Sequence, residues 1–218
     1  MTEKQTIAVI GGTGAEGGGI ALRLANAGYP VIVAGRDGAK AAEAAAAINA
    51  ATGANATGLP SAEAAAQADI VILTVPYAAQ SATARALRDQ LQGKILIDAT
   101  VPLMPPKVGR VQLPEGDSAV ANLQAELGDG VRVVAAFQNV SAHHLKDLAH
   151  EVDCDVLVCA DDAEAAGVTV ALAGAMGLRA FHAGPVANAA AVEALTSLLI
   201  SINRRYKSPG SGIRITGV

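Results

Sequence analysis

Short unbroken apolar runs alternate along this chain with longer stretches in which apolar residues recur every three or four positions. The first kind reads as strands buried on both faces of a sheet, the second as helices laid against it. In order, the pattern predicts a strand from Ile7 to Ile10, a helix running from about Ile20 to a stop at Gly28, and a strand from Val31 to Ala34. An alanine-rich helix over 41–51 follows, then a short edge strand over 55–59 and a brief helix over 62–67 with Ser61 as its N-cap. A strand over 69–76 ends at Pro76, a helix over 77–91 stops at Gly93, and strands over 94–98 and 132–136 flank a helix over 118–127. The proline- and glycine-rich stretch 103–116 fits neither period and is a candidate lid. Past the sixth strand the pattern continues with a strand over 155–159, a helix over 162–176, a strand over 179–182 and a long helix over 187–205.

Strands alternating with helices predict an α/β fold: a Rossmann-type, doubly wound, mainly parallel sheet with a small C-terminal α/β portion. We place the dinucleotide-binding part at 1–140 and the smaller portion at 141–218, where it would complete a second binding site and supply a dimer interface.

The first strand-to-helix turn carries the chemistry. Gly12, Gly14 and Gly17 stand at G-x-G-x-x-G spacing between a buried strand and an apolar-periodic helix. That context is what a dinucleotide fingerprint requires: glycine for the turn, a bare backbone for the pyrophosphate, and close packing of helix on strand. At the end of the second strand an acid would bond a ribose 2′-hydroxyl and a base would accommodate a 2′-phosphate. Gly35 and Arg36 stand there, with Lys40 one turn further on, which favours NADP(H). Asp37 beside them would turn outward or bond a ribose, and Arg36 as a plain solvated charge is the competing reading. The segments Thr74-Val75-Pro76 and Thr100-Val101-Pro102, then Phe137 to Ala142, fall at carboxyl ends of strands and so face the crevice where a nicotinamide must lie.

Composition narrows the class. Of 218 residues, 51% are apolar and 17% charged, which excludes disorder, and no stretch reads as an apolar run of the length that spans a bilayer. Aromatics are 2% with no Trp, so no base-stacking platform is available, and a net charge of −4 argues against nucleic acid. A polar start without a signal-peptide pattern, with only Cys154 and Cys159 as thiols, gives the expectation of a cytoplasmic protein with no membrane partner.

A carbonyl reductase needs a proton donor beside the developing oxyanion. The Tyr-x-x-x-Lys pair is missing: Val33, Ser81 and Gly210 follow the three tyrosines at that spacing. His143, His144, His150 and His182 with the two cysteines match no zinc spacing, so no metal is expected. No catalytic acid or base is therefore assigned. Small uncharged residues at the hydride end suit a flat partner stacked on the nicotinamide, held by positioning.

Several runs together resemble one family, the NADPH-dependent reductases of coenzyme F420, a 5-deazaflavin. They are Ile7 to Gly19, Gly35-Arg36 with Lys40, Leu73 to Pro76, Asp153 to Asp161, and above all Ala183 to Asn188 with Val192 to Thr196. The resemblance runs end to end and implies hydride transfer between NADP(H) and F420; the alanine-rich amphipathic helices of the C-terminal portion give the expectation of a homodimer. It implies that Thr13, Gly14, Ala15 and Glu16 cradle the pyrophosphate, and that Arg36 and Lys40 hold the 2′-phosphate. Val75, Ala79, Val101 and Ala142 would line the nicotinamide; Gln138, Asn139, Val140, Ser141 and Thr196 would line the deazaflavin, with Asn139 or Ser141 bonding the ring edge. The anionic tail of F420 would meet Lys107 and Arg110, or Arg204, Arg205 and Lys207. Archaeal members carry serine in place of Gly35 and His-Thr-Ile-Pro in place of Gln138 to Ser141. Two other readings share the scaffold: an NADPH-dependent reductase of a flavin, ferric chelate or small imine, and a non-enzymatic NADP-binding sensor.

Overall fold

The computed structural model describes residues 4–218. Eight strands form one sheet in the order β3-β2-β1-β4-β5-β6-β7-β8. They are β1 (Ile7–Ile10), β2 (Val31–Gly35), β3 (Thr57–Pro60), β4 (Ile70–Leu73), β5 (Ile95–Asp98), β6 (Arg132–Ala135), β7 (Asp155–Ala160) and β8 (Arg179–His182). The first six are parallel, which is the doubly wound order the pattern predicts, with β1 and β4 adjacent at the reversal point. The C-terminal portion extends the same sheet, β7 running antiparallel to β6 and β8 parallel to β7.

Alternation along each strand sends residues to two apolar layers. Ile7, Val9, Ile70, Ile72, Ile95 and Ile97 face the helices α1 (Ala15–Asn26), α2 (Gly38–Thr52) and α8 (Ala163–Ala175), together with the single turn α7 (Ala142–Leu145). Ala8, Ile10, Val71, Leu73 and Leu96 face α3 (Ser61–Gln67), α4 (Tyr77–Ala86), α5 (Arg88–Leu91), α6 (Ala119–Leu127) and α9 (Ala189–Tyr206), the last entered through a 3-10 turn at Val186–Asn188. Both faces of β1, β4 and β5 are thus buried, and this explains why those strands read as continuous apolar runs.

Of the element boundaries that differ from the sequence expectation, such as α1 starting at Ala15 and β4 ending at Leu73, three have a plain local reason. Ser61 is inside α3 and caps nothing; Pro60 precedes it and still pairs with Gly35 in the sheet, so the chain passes from strand to helix without a free capping residue. The helix expected over 77–91 breaks at Leu87, where ψ is 5°, and this lets Leu87 and Leu91 both reach the core. Ser118 lies outside α6 as its N-cap, its Oγ accepting from Ala121 N at 3.0 Å.

Two buried polar clusters tie the second half to the first. Arg23 on α1 donates to the carbonyls of His144, Leu145, Asp147, His150 and Met176 at 2.7–3.2 Å, fixing the segment around α7 against the glycine-rich helix. Glu193 on α9 accepts from Ser118 Oγ (2.8 Å), Ala119 N (2.9 Å) and Val120 N (3.0 Å), so a buried carboxyl of one helix caps the start of another. The stretch Val186–Tyr206 is long and apolar enough to cross a membrane by length and composition, which the sequence reading did not anticipate. In the fold it packs through Ala189, Val192 and Leu199, with Glu193 bound as described.

Candidate functional site

The carboxyl ends of β1 and β4 meet at the glycine turn. Thr74 donates to the carbonyl of Ile10 through both its N–H (2.9 Å) and its Oγ1 (2.8 Å), which brings the Thr74-Val75-Pro76 segment against Gly11 to Gly17. The fit is so close that an added Cβ at Gly17 would lie 2.3 Å from Thr74 Oγ1 and 2.7 Å from the Gly11 carbonyl oxygen. A Cβ at Gly12 would lie 2.8 Å from the Val9 carbonyl, and the left-handed residue of the turn is Gly11, with φ of 84°. Gly14 is the N-cap of α1 and supplies no side chain, so the first-turn N–H groups are left open to an anion. Thr13, Gly14 and Ala15 are exposed there.

On the far side of this turn, Gly35 sits beside Thr13, while Arg36 and Lys40 are exposed at the start of α2. Asp37 resolves one alternative: its carboxylate caps α2, Oδ1 accepting from Ala39 N (3.0 Å) and Lys40 N (3.3 Å), and is taken up by that role. The Arg36 and Lys40 side chains are exposed beside it.

On the near side opens a cleft of about 830 Å³. Gly14, Ala15 and Glu16 form one end of its lining. Thr74, Val75, Pro76 and Val101 lie along the strand ends, and Gln138, Asn139, Val140, Ser141, Ala142 and Thr196 complete the wall. All five residues expected for the acceptor are therefore brought together. Ala79 and Pro102 are not on this lining; Pro102 is buried beneath it, and Ala79 is turned into α4, its N–H bonded to the Pro76 carbonyl.

The Gln138–Ala142 wall is pinned from behind. Gln138 Nε2 donates to the Asp98 carbonyl at 2.7 Å, and Thr196 Oγ1 donates to the Gln138 carbonyl at 2.7 Å. Asp98 is itself fully buried, held by Thr100 N (2.8 Å) and Gln80 Nε2 (2.5 Å), and burial pushes its carboxyl up. Asn139 is spent on structure: its Nδ2 donates to the Asp155 carbonyl at 2.7 Å and its Oδ1 accepts from Leu157 N at 3.4 Å. Of the two residues expected to bond a ring edge, Asn139 is thus turned into β7, and Ser141 stays half-exposed at the cleft. Phe137, buried, has a φ of 77°, a left-handed backbone for a bulky residue, at the corner where the wall begins.

Sequence reasoning missed several lining residues. Leu103, Pro105 and Val108 come from the 103–116 loop, Leu199, Ile200 and Asn203 from α9, and Ser211 from the tail. The loop lies on α9, Ser201 Oγ donating to the Gly109 carbonyl at 2.6 Å, and Arg204 Nη1 would stand 3.4 Å from a Cβ at Gly109, beside the segment that carries Lys107 and Arg110. The i, i+3, i+4, i+7 spacing of Thr196, Leu199, Ile200 and Asn203 was a readable signal for a single helix face.

The polar atoms of this wall fit the groups the motifs imply. The side-chain oxygen Oε1 of Gln138 and Oε1 of Glu16 are enclosed without a hydrogen-bond partner, and the glycine turn leaves a backbone hollow that any Cβ would fill. Cys154 and Cys159 are buried free thiols; burial pushes Cys159 up to about 11.

Residues 6–102 match the family model for coenzyme F420-dependent NADP oxidoreductases. The F420-dependent NADP reductase of Methanothermobacter thermautotrophicus is 43% identical over 220 residues, covering 97% of this chain and 95% of that protein. The protein of the same name from Methanocaldococcus jannaschii is 40% identical over 221 residues, covering 97% and 98%. Among solved structures, one from Arthrobacter sp. FB24 assigned as an F420-dependent NADP reductase superposes with a TM-score of 0.81 at 25% identity, covering 98% of this chain and 100% of that one.

Proposed function

The chain belongs to the family of F420-dependent NADP oxidoreductases, and from that premise we propose how its cleft moves a hydride between NADP(H) and the deazaflavin F420. The observation that carries this reading is the cleft itself. It runs from the open N-terminus of α1 to the Gln138–Ala142 wall, with no Lys, Arg, Asp or His among the described residues of its lining. A reaction between two flat heterocycles needs a dry, shaped space that sets distance and angle more than it needs a strong acid or base.

The hydride chemistry belongs to the two cofactors; the protein's part is binding and alignment. Backbone N–H groups of Ala15 and Glu16 hold the pyrophosphate beside Thr13 and the bare Gly14, whose own N–H is bonded to the Gly11 carbonyl, and Gly12 and Gly17 permit its approach. Gly35, Arg36 and Lys40 take the 2′-phosphate. Thr74, Val75, Pro76 and Val101 form the floor for the nicotinamide, with Ala142 opposite; Ala79 and Pro102 support this floor from behind. Gln138, Val140, Ser141 and Thr196 present the acceptor wall, Asn139 fixing its curvature through β7. Gln138 Oε1 is the free acceptor for a ring N–H. Lys107, Arg110 and Arg204 at the mouth meet the anionic tail, with Arg205 and Lys207 nearby.

On this reading residues 1–140 hold the dinucleotide and 141–218 complete the acceptor site. The exposed apolar residues Leu198, Ile202 and Tyr206 on α9, with Met104 on the loop, would be covered in a homodimer. Small redox cofactors are its partners, and two buried unpaired thiols suit a reducing, cytoplasmic setting.

Mixing the protein with NADPH and oxidised F420 and following the loss of deazaflavin absorbance tests the assignment. Turnover with F420 is expected; turnover with free flavin and none with F420 would overturn it. Light scattering after size-exclusion chromatography tests the dimer.

A further inference from the structure

One group on the cleft lining has no place in a purely positional mechanism. Glu16, in the first turn of α1, lines the same cleft as Thr74 and Val75. Its Oε1 is enclosed and has no hydrogen-bond partner. Among the described residues it is the sole acid of the lining, and Tyr77 is the other titratable side chain there. The helices packed on α1 carry Lys40 and Glu43 (α2), His143 and His144 (α7) and Glu164 (α8), the last of which is paired with Arg132 at the start of β6. None of them perturbs Glu16, whose carboxyl is pushed up to about 8 by burial alone.

An acid in this position meets a dinucleotide whose redox state changes its charge. The oxidised nicotinamide ring carries a positive charge and the reduced ring carries none, while the pyrophosphate and 2′-phosphate are the same in both. We propose that Glu16 is a charge-responsive residue of the NADP site, protonated against the reduced ring and ionised against the oxidised one. The Glu16 carboxyl is then less protonated in the NADP+ complex than in the NADPH complex, the difference passing to solvent on binding. An opposite charge nearby favours the ionised carboxylate, so its affinity lies lower in the NADP+ complex than in the NADPH complex. The preference for NADP+ over NADPH therefore rises with pH. This rests on the assignment of the cleft to NADP(H).

Calorimetric titration in buffers of different ionisation enthalpy measures the proton count directly, and the 2′-phosphate contributes equally with either nucleotide. Near pH 7 the unmodified protein is expected to release more protons on binding NADP+ than NADPH, by a fraction of one up to one. The ratio of the two dissociation constants should move roughly tenfold toward NADP+ between pH 6 and pH 9 for each unit by which the carboxyl shifts between complexes. Glu16→Gln, close in size and unable to ionise, should bind both nucleotides with a ratio that no longer changes with pH, and Glu16→Leu should match it. An equal proton count for the two nucleotides, or an undiminished pH-dependent preference in Glu16→Gln, overturns the inference while leaving the NADP site intact. Failure of the unmodified protein to bind either nucleotide overturns both.

Discussion

Thr196, on the C-terminal helix, donates its hydroxyl hydrogen to the main-chain carbonyl of Gln138 at 2.7 Å, so a residue 58 positions away sets the backbone of the acceptor wall. Removing that donor leaves a part-buried carbonyl without its partner. Thr196→Val is expected to cost about 1–2 kcal/mol of stability. It should raise KM for F420 several-fold while leaving that for NADPH unchanged, as steady-state kinetics with each substrate varied in turn would show.

Arg36 and Lys40 stand free at the start of α2 because Asp37 is occupied as its cap. Arg36→Ala should weaken NADPH by roughly 10- to 100-fold, the value of about 1.5–3 kcal/mol for a hydrogen bond to a charged group, and leave NADH nearly unchanged. Fluorescence titration with both nucleotides decides it, and equal losses would remove the 2′-phosphate from this position.

Gly17→Ala places a methyl group 2.7 Å from the Gly11 carbonyl and against Thr74. We expect a loss of about 1–3 kcal/mol by overpacking, together with weaker NADPH binding. Adding Thr74→Ala should restore only part of it, since the carbonyl contact remains; thermal melts of the three variants separate the two contacts.

Acid should destabilise the C-terminal portion. Asp155 is buried beside Arg179, Nε and Nη2 at 2.7 and 2.6 Å, with Arg214 and the Ile215 N–H also on it, and its carboxyl is held well below the usual carboxylate range. A depressed acid contributes stability that is present above its unfolded value of about 3.9 and is lost as pH falls below that. Melting temperature should fall between about pH 5 and about pH 2, and Asp155→Asn, less stable at neutral pH, should show a flatter profile.

Glu193 holds the first turn of α6 and Ser118, so Glu193→Ala strands two N–H groups and a hydroxyl in the interior. A loss of about 2–4 kcal/mol is expected by chemical denaturation. Burial pushes the Glu193 carboxyl up, so Glu193→Gln, which keeps an acceptor, should lose less than the alanine variant.

The parallel half of the sheet was legible because both its faces are buried and its strands are unbroken apolar runs bounded by glycine and proline. The dinucleotide turn was legible because close backbone approach leaves glycine little competition. The roles of Asp37 and Asn139 were not, since each has a polar side chain that suits a ligand as well as a neighbour; only the hydrogen bonds to Ala39 and Lys40, and to Asp155, decide between them. Glu16 was assigned through its backbone, and its side chain gained meaning only once burial was visible. The lining from α9 and the loop depends on contacts between segments some 90 residues apart, such as Ser201 with Gly109, and no local pattern records those.

The fan of carbonyls gathered by Arg23 welds the dinucleotide helix to the segment carrying the acceptor wall. On the proposed reading, rings entering or leaving the cleft pass on the opposite bank, where the 103–116 segment meets α9 through the Ser201–Gly109 hydrogen bond. Substitutions that alter turnover without touching either ring are then expected along that seam.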